Sequence, residues 1–225
     1  METKLEKVLP RDIEGRSMAI IEKEINEMDQ EMIDLWNGKT EEEKKIIKRC
    51  IHTSADFDYL KNLLFSDGAV MKMIDALKKG CTIVTDTNMA KAGISKEAAD
   101  KLGCKVVSFM SDDDVAEAAM KQGTTRAVCC MDKACKLDGP VLIAVGNAPT
   151  ALVKIHELVD SGKLKPEGVI AIPVGFVNVV PAKEIMVLDG KDGKFPTIVG
   201  RGRKGGSNVA AAIVNAMLYI ATGRI

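Results

Sequence analysis

The chain has 225 residues, 46% of them apolar, and 32 basic residues balance 32 acidic ones. That balance argues against a nucleic-acid binder, which usually carries a basic excess, and no apolar run approaches the ~20 residues needed to cross a membrane. The length suits one large domain, and with one Trp, two Tyr and five Phe its core must be mostly aliphatic side chains, alanine and methionine.

The first 65 residues read as helical. Met18, Ile21, Ile25 and Met28 are spaced to fall on one helix face. Thr40-Glu41-Glu42-Glu43 is a capping box, in which the Thr40 oxygen takes the Glu43 amide and the Glu43 carboxylate reaches back. Ile46, Ile47, Cys50 and Ile51 then form a narrow apolar stripe. Arg49 and His52 fall roughly opposite that stripe and share a face, an anion anchor beside a side chain that changes charge near neutral pH. A histidine buried for packing would lie on the stripe instead. Asp56 and Asp58 flank Phe57; they can orient His52 or Arg49, or be solvated. A further amphipathic stretch, 66–79, stops at Gly80.

After Gly80 the pattern changes. Short β-favouring runs appear at 81–85, 104–109, 141–145, 169–174 and 197–199. Several are continuously apolar, as expected of strands covered on both faces. Helical patterns lie between most of them, including 113–122, 125–136, 149–161 and 207–221. The prediction is an α/β fold: a mostly parallel β-sheet flanked by helices, with an N-terminal helical segment packed on it. Residues 1–225 form a single domain, helical over 1–65 and α/β over 66–225.

In open sheets of this kind ligands bind at the carboxyl ends of the strands. Those ends are rich in Gly, Asn, Asp or Thr at 85–88, 146–150, 175–178 and 200–207. The last loop holds Arg201, Arg203 and Lys204 among four glycines and runs into a helix near Ser207. Close backbone approach, free helix-start amides and guanidinium forks make it an anion-binding candidate. It is not a Walker A loop, and its formal G-x-G-x-x-G match lies far from the first strand and lacks the acidic partner downstream. Asn147 suits a helix cap, with a second role toward a ligand left open. Arg126, in the first turn of its helix, is placed against the helix dipole unless an anionic ligand or a partner carboxylate explains it. His156 reads as packed or capped within its helix.

The six cysteines form no C-x-x-C pair and fit neither a zinc site nor a disulfide framework. Reduced thiols in a reducing compartment are expected. The opening residues lack the apolar core of a signal peptide, so the cytoplasm is the default.

Seven segments together resemble the precorrin-8X methylmutase family, in the family's order, from about residue 11 to 219. They are Arg16-Ser17, Ile51-His52-Thr53-x-Ala55-Asp56-Phe57-Asp58, Val84-Thr85-Asp86-Thr87-Asn88-Met89, Gly123-Thr124-Thr125-Arg126-Ala127, Gly146-Asn147-Ala148-Pro149-Thr150-Ala151-Leu152, Pro173-Val174-Gly175-Phe176-Val177 and Arg201-Gly202-Arg203-Lys204-Gly205-Gly206-Ser207. The His-Thr-x-Ala-Asp-Phe-Asp form is similar to the cobalt-precorrin-8 branch of the anaerobic cobalamin pathway; the aerobic branch tends to read His-Ala-Cys-Gly there. The resemblance implies an isomerase that moves a methyl group from C11 to C12 of ring C in a corrin precursor, a 1,5-sigmatropic shift. It implies His52 as the catalytic proton donor and Ser17 and Arg49 as substrate-holding residues. Arg126, Asn147, Arg201, Arg203 and Ser207 join the substrate-binding set from their loops and charges. The family implies a homodimer with its site near the subunit interface, no separate cofactor and no protein-bound metal, any cobalt arriving within the substrate. Two other readings remain: a non-catalytic tetrapyrrole carrier, and a nucleotide or phosphate-ester enzyme using the 200–207 loop.

Overall fold

The protein is described here by a computed structural model covering residues 7–225. Residues 1–6, which carry most of the segment read for a signal peptide, lie outside the described residues. A short 3-10 turn, Pro10–Asp12, leads into α1 (Ile13–Asn26), α2 (Gln30–Asn37), α3 (Glu41–Ser54) and the single turn α4 (Tyr59–Asn62). The α1 stripe points inward as its spacing requires, with Ile21 and Ile25 buried. The α3 cap is the predicted box: the Thr40 hydroxyl accepts the Glu43 amide at 3.2 Å and the Glu43 carboxylate accepts the Thr40 amide at 3.1 Å. Its stripe, Ile46, Ile47, Cys50 and Ile51, is buried.

Strand β1 (Leu63–Phe65) follows at once, then α5 (Ala69–Lys78) and β2 (Thr82–Thr85). Next come α6 (Asn88–Gly93), α7 (Lys96–Lys101), β3 (Lys105–Val107), α8 (Asp113–Gln122), α9 (Arg126–Ala134) and β4 (Val141–Val145). The chain closes with α10 (Pro149–Asp160), β5 (Gly168–Ala171), α11 (Val179–Lys191), β6 (Thr197–Gly200) and α12 (Ser207–Ala221). The six strands form one sheet in the order β1-β6-β5-β4-β2-β3. All neighbours are parallel except β1, which runs antiparallel to β6 with Leu64 opposite Val199. Because β1 is an edge strand of the same sheet, the sheet draws on a residue run before position 66.

The parallel strands explain the continuous apolar runs, because both faces are covered. In β4, Leu142 and Ala144 enter the layer built from α1, α3, α5, α7 and α12, while Val141, Ile143 and Val145 enter the layer of α8, α9, α10 and α11. This is the period of two expected of a strand. α12 is apolar all round because ten of its fifteen residues are buried, packed on α3, α5 and α6. α11 carries Pro181 at its third position. That position tolerates proline because the first-turn amides have no helical acceptor.

The strand order reverses between β2 and β4. From β2 the chain winds to β3 on one side; β4, β5 and β6 then extend the other. Such a reversal opens a crevice at the carboxyl ends, where doubly wound folds hold ligands.

Candidate active site

His52 is exposed near the end of α3, off the buried stripe. One turn earlier, Arg49 is largely covered, with its side chain 14% exposed. Its guanidinium binds the Glu14 carboxylate of α1 and lies 5.3 Å from the Tyr219 ring of α12. Ser17 sits one turn beyond Glu14 on α1, its hydroxyl donating to the Ile13 carbonyl at 2.9 Å. The Glu14–Arg49 pair thus joins the helix carrying Ser17 to the helix carrying His52.

α3 ends on Ala55, at φ 54°. This left-handed conformation is costly for a residue with a Cβ, and it turns the chain sharply after His52. The next residues are held from outside: Asp56 and Asp58 both take the Lys204 ammonium, at 2.7 and 2.5 Å. These carboxylates therefore orient neither His52 nor Arg49 directly; they tie the segment after His52 to the glycine-rich loop. They also push the Lys204 pKa upward.

That loop is anchored along its length. Arg201 forks onto Glu184 with two bonds of 2.7 Å. Lys183, fully buried, donates to the carbonyls of Gly202 at 2.9 Å and Lys204 at 2.8 Å. Burial pushes its ammonium pKa down to about 8. Gly205 packs so closely on the end of β5 that an added Cβ would lie 2.1 Å from the Ile172 carbonyl oxygen. Of the three loop cations, Arg203 alone has no acidic partner among the described residues; it lies 5.4 Å from the Phe176 ring. Phe176 and Val177, on the neighbouring loop, are each 80% exposed. Apolar surface beside a free guanidinium suits an amphiphilic anion.

At the strand-order reversal the cradle is already filled. Asp86, buried after β2, accepts the amides of Gly146 at 2.8 Å, Asn147 at 2.8 Å and Ala148 at 2.7 Å. These are the amides of the turn that leads from β4 into α10, and the helix itself opens on Pro149, which has no amide to offer a ligand. Burial raises the Asp86 pKa and the three amides oppose that rise. The helix cap at α10 is Ala148, so the Asn147 side chain is not the cap; it is exposed beyond the carboxyl end of β4. Ser207 is nearly buried, and its hydroxyl shares a 2.8 Å hydrogen bond with Thr87, the cap of α6. An added Cβ on Gly146 would lie 2.7 Å from the Ser207 Cα, so the α10 and α12 turns meet backbone to backbone.

The structure therefore groups Arg49, His52 and the 200–207 loop on the α3–α12 side, with Asn147 and Ser207 at the reversal. Arg126 opens α9 in the opposite helical layer, exposed beside a hollow of about 400 Å³. His156 is held within the α10–α11 contact, its Nδ1 2.8 Å from Asp189. Sequence reasoning missed Asp86, Lys183 and Glu184 as positioning groups. Asp86 stood in one of the recognised segments; nothing local marked the other two.

The family described as precorrin-8X methylmutase matches residues 12–220. The chain is 41% identical over 211 residues to the cobalt-precorrin-8 methylmutase of Salmonella typhimurium, covering 93% of this chain and 95% of that one. It is 37% identical over 220 residues to the cobalt-precorrin-8 methylmutase of Leptospira interrogans, covering 96% of each. The crystal structure of the precorrin-8x methyl mutase from Thermus thermophilus superposes with a TM-score of 0.79 at 32% identity, over 95% of this chain and 99% of that chain. A matching set of motifs, a matching fold and near-complete coverage agree: the chain belongs to the precorrin-8X methylmutase family.

Proposed function

We propose that this isomerase moves a methyl group from C11 to C12 of ring C in a (cobalt-)precorrin-8 substrate by a 1,5-sigmatropic shift, with His52 as the proton donor. The observation that carries the role of His52 is its exposed place one turn from Arg49, on the side of α3 away from the buried stripe. Substrate and product are isomers, so no co-reactant is consumed. As the methyl migrates, electron density gathers on the ring system, and an imidazolium N–H directed at the ring C nitrogen stabilises it. General acid assistance of this kind is worth roughly 10²–10⁴-fold.

The acetate and propionate rim of the macrocycle calls for guanidinium forks and exposed loop amides. Arg203 supplies a fork, and Arg49 supplies a second once it exchanges Glu14 for the substrate. Ser17, Asn147 and Ser207 supply polar contacts, and Phe176 and Val177 offer apolar surface to the ring. Arg201, engaged by Glu184, reaches substrate only by exchanging partners. Arg126 lies in the other layer of its own chain and joins the site in a homodimer, which the exposed Val174, Phe176 and Val177 favour. Cobalt belongs to the substrate, and the reaction needs no separate cofactor. No described helix is long and apolar enough to cross a membrane, and six unpaired cysteines suit the cytoplasm.

The test is His52→Ala, followed by the absorption change on adding the precorrin. The expected result is a variant with wild-type circular dichroism that still binds the macrocycle but turns it over 10²–10⁴-fold more slowly. Unchanged turnover would remove His52 from the chemistry. Absence of any spectral change with the wild-type chain would favour the carrier reading.

A further inference from the structure

The cleft between α1, α3 and the end of α12 has a volume of about 380 Å³. Arg11, Lys45, Lys48, Arg49 and Arg224 line it, and Glu14 is the one acidic side chain among the described residues that do so. Lys48 is held by Glu22 at 3.0 Å and Arg11 lies 3.7 Å from Asp12. Glu14 serves two guanidinium groups at once, Arg49 through Oε1 and Arg224 through Oε2, the latter at 3.7 Å. Both guanidinium groups also lie against the Tyr219 ring, Arg224 at 4.1 Å from its centre and Arg49 at 5.3 Å. Tyr219 thus brings two cations together, and their mutual repulsion requires an anion between them.

We propose that this cleft is a carboxylate subsite, that Glu14 is a placeholder for an acid of the bound ligand, and that Arg224 is a substrate-binding residue. Arg224 lies beyond residue 220, where the family match ends. The inference rests on the proposed function, which supplies a ligand with several carboxylates. The distances suit it. Arg49 lies about 4.5 Å along the α3 axis from His52, so a macrocycle whose ring meets His52 brings its rim to Arg49, and Arg224 shares the Glu14 carboxylate with Arg49. A carboxylate shared by two arginines, one oxygen each, is also the arrangement a ligand acetate or propionate would adopt. Ligand binding then exchanges one carboxylate for another and leaves Glu14 to solvent, for which its 43% exposed side chain is placed.

The test compares wild type, Glu14→Gln and Arg224→Gln by titration with hydrogenobyrinate and with its fully methylated ester, which keeps the ring but has no acids. Removing the placeholder is expected to tighten binding of the acid several-fold, and removing Arg224 to weaken it roughly tenfold. Neither change should alter binding of the ester. Arg224 is half exposed, so Arg224→Gln should melt as wild type does. Glu14→Gln keeps the shape but leaves two guanidinium groups without their anion, and should melt lower than wild type and regain that loss when the acid, but not the ester, binds. Weaker binding of the acid to Glu14→Gln would make Glu14 an anchor for Arg49 and overturn the inference, as would unchanged affinities in both variants. Failure of the wild-type chain to bind or convert any corrinoid acid would instead overturn the proposed function beneath it.

Discussion

Lys183 sets two opposed terms against each other, and pH separates them. Its side chain is fully buried and its ammonium donates to two carbonyls of the 200–207 loop. Replacing it by methionine keeps the volume and removes both donors. Orphaned carbonyls cost about 1–3 kcal/mol each, toward the low end here because water reaches this loop. Against that, the wild type carries a desolvated charge. A pKa lowered from 10.5 to about 8 corresponds to a penalty of at most roughly 3 kcal/mol below pH 8. Near pH 7 the two effects nearly cancel, and Lys183→Met should lie within ~2 kcal/mol of wild type. Between pH 8 and 10.5 the unfolded chain holds the Lys183 proton and the folded chain has released it, so wild-type stability rises with pH through that window. The neutral amine keeps two N–H donors, and both loop bonds survive. Urea denaturation of the two proteins at pH 7, 8, 9 and 10 should therefore show the stability gap in favour of wild type widening by about 2–3 kcal/mol. A gap that stays flat across this range would refute the account of Lys183 as a buried charge.

Two further substitutions probe the site edge. Arg203→Leu removes the guanidinium that no described acid engages, and hydrogenobyrinate affinity should fall roughly tenfold with no change in melting temperature. Ala55→Gly relieves the left-handed residue after α3. The strain relief of about 1–2 kcal/mol outweighs the added chain entropy of glycine, about 0.5–1 kcal/mol, so calorimetry should show a melting point higher by a few degrees.

The elements that could be read in advance are those whose cause is local. The Thr40 capping box needs only residues three apart, and it formed as written. α8 and α12 begin and end where their stripe and turn residues place them. β1 was invisible because three residues carry no period; pairing with β6 makes it a strand. α11 was hidden by Pro181 and by burial in two directions, which blurs its stripe. In the candidate site, composition told that cations gather in the 200–207 loop but not who neutralises them. Glu184 lies 17 residues away and Asp58 146 residues away. Lys183 ran against expectation outright, because a lysine in a helix is normally read as solvated.

Asp86 decides what kind of ligand the sheet edge can take. A doubly wound sheet offers its reversal point to phosphates through helix-start amides. Here the three amides of the turn before α10 are spent on a carboxylate of the chain itself, and the helix opens on Pro149, which has no amide, so a nucleotide finds less of its usual grip and recognition shifts to the Arg49 and Arg203 side. If Asp86 is an internal anion of this kind, Asp86→Ala should leave a cradle that a small carboxylate can refill. Losing three charge-assisted bonds, partly offset by relief of a buried charge, should cost about 3 kcal/mol. In a domain of this size that is roughly 6–12 °C of melting temperature. Sodium formate, at concentrations well above its dissociation constant, should return about 2–3 kcal/mol through binding to the folded state alone. Sodium chloride at the same ionic strength should return much less, and wild type should respond equally to both salts. A variant that melts low and ignores formate would show that Asp86 supports the turn by packing, and would reopen the reversal point to phosphate ligands.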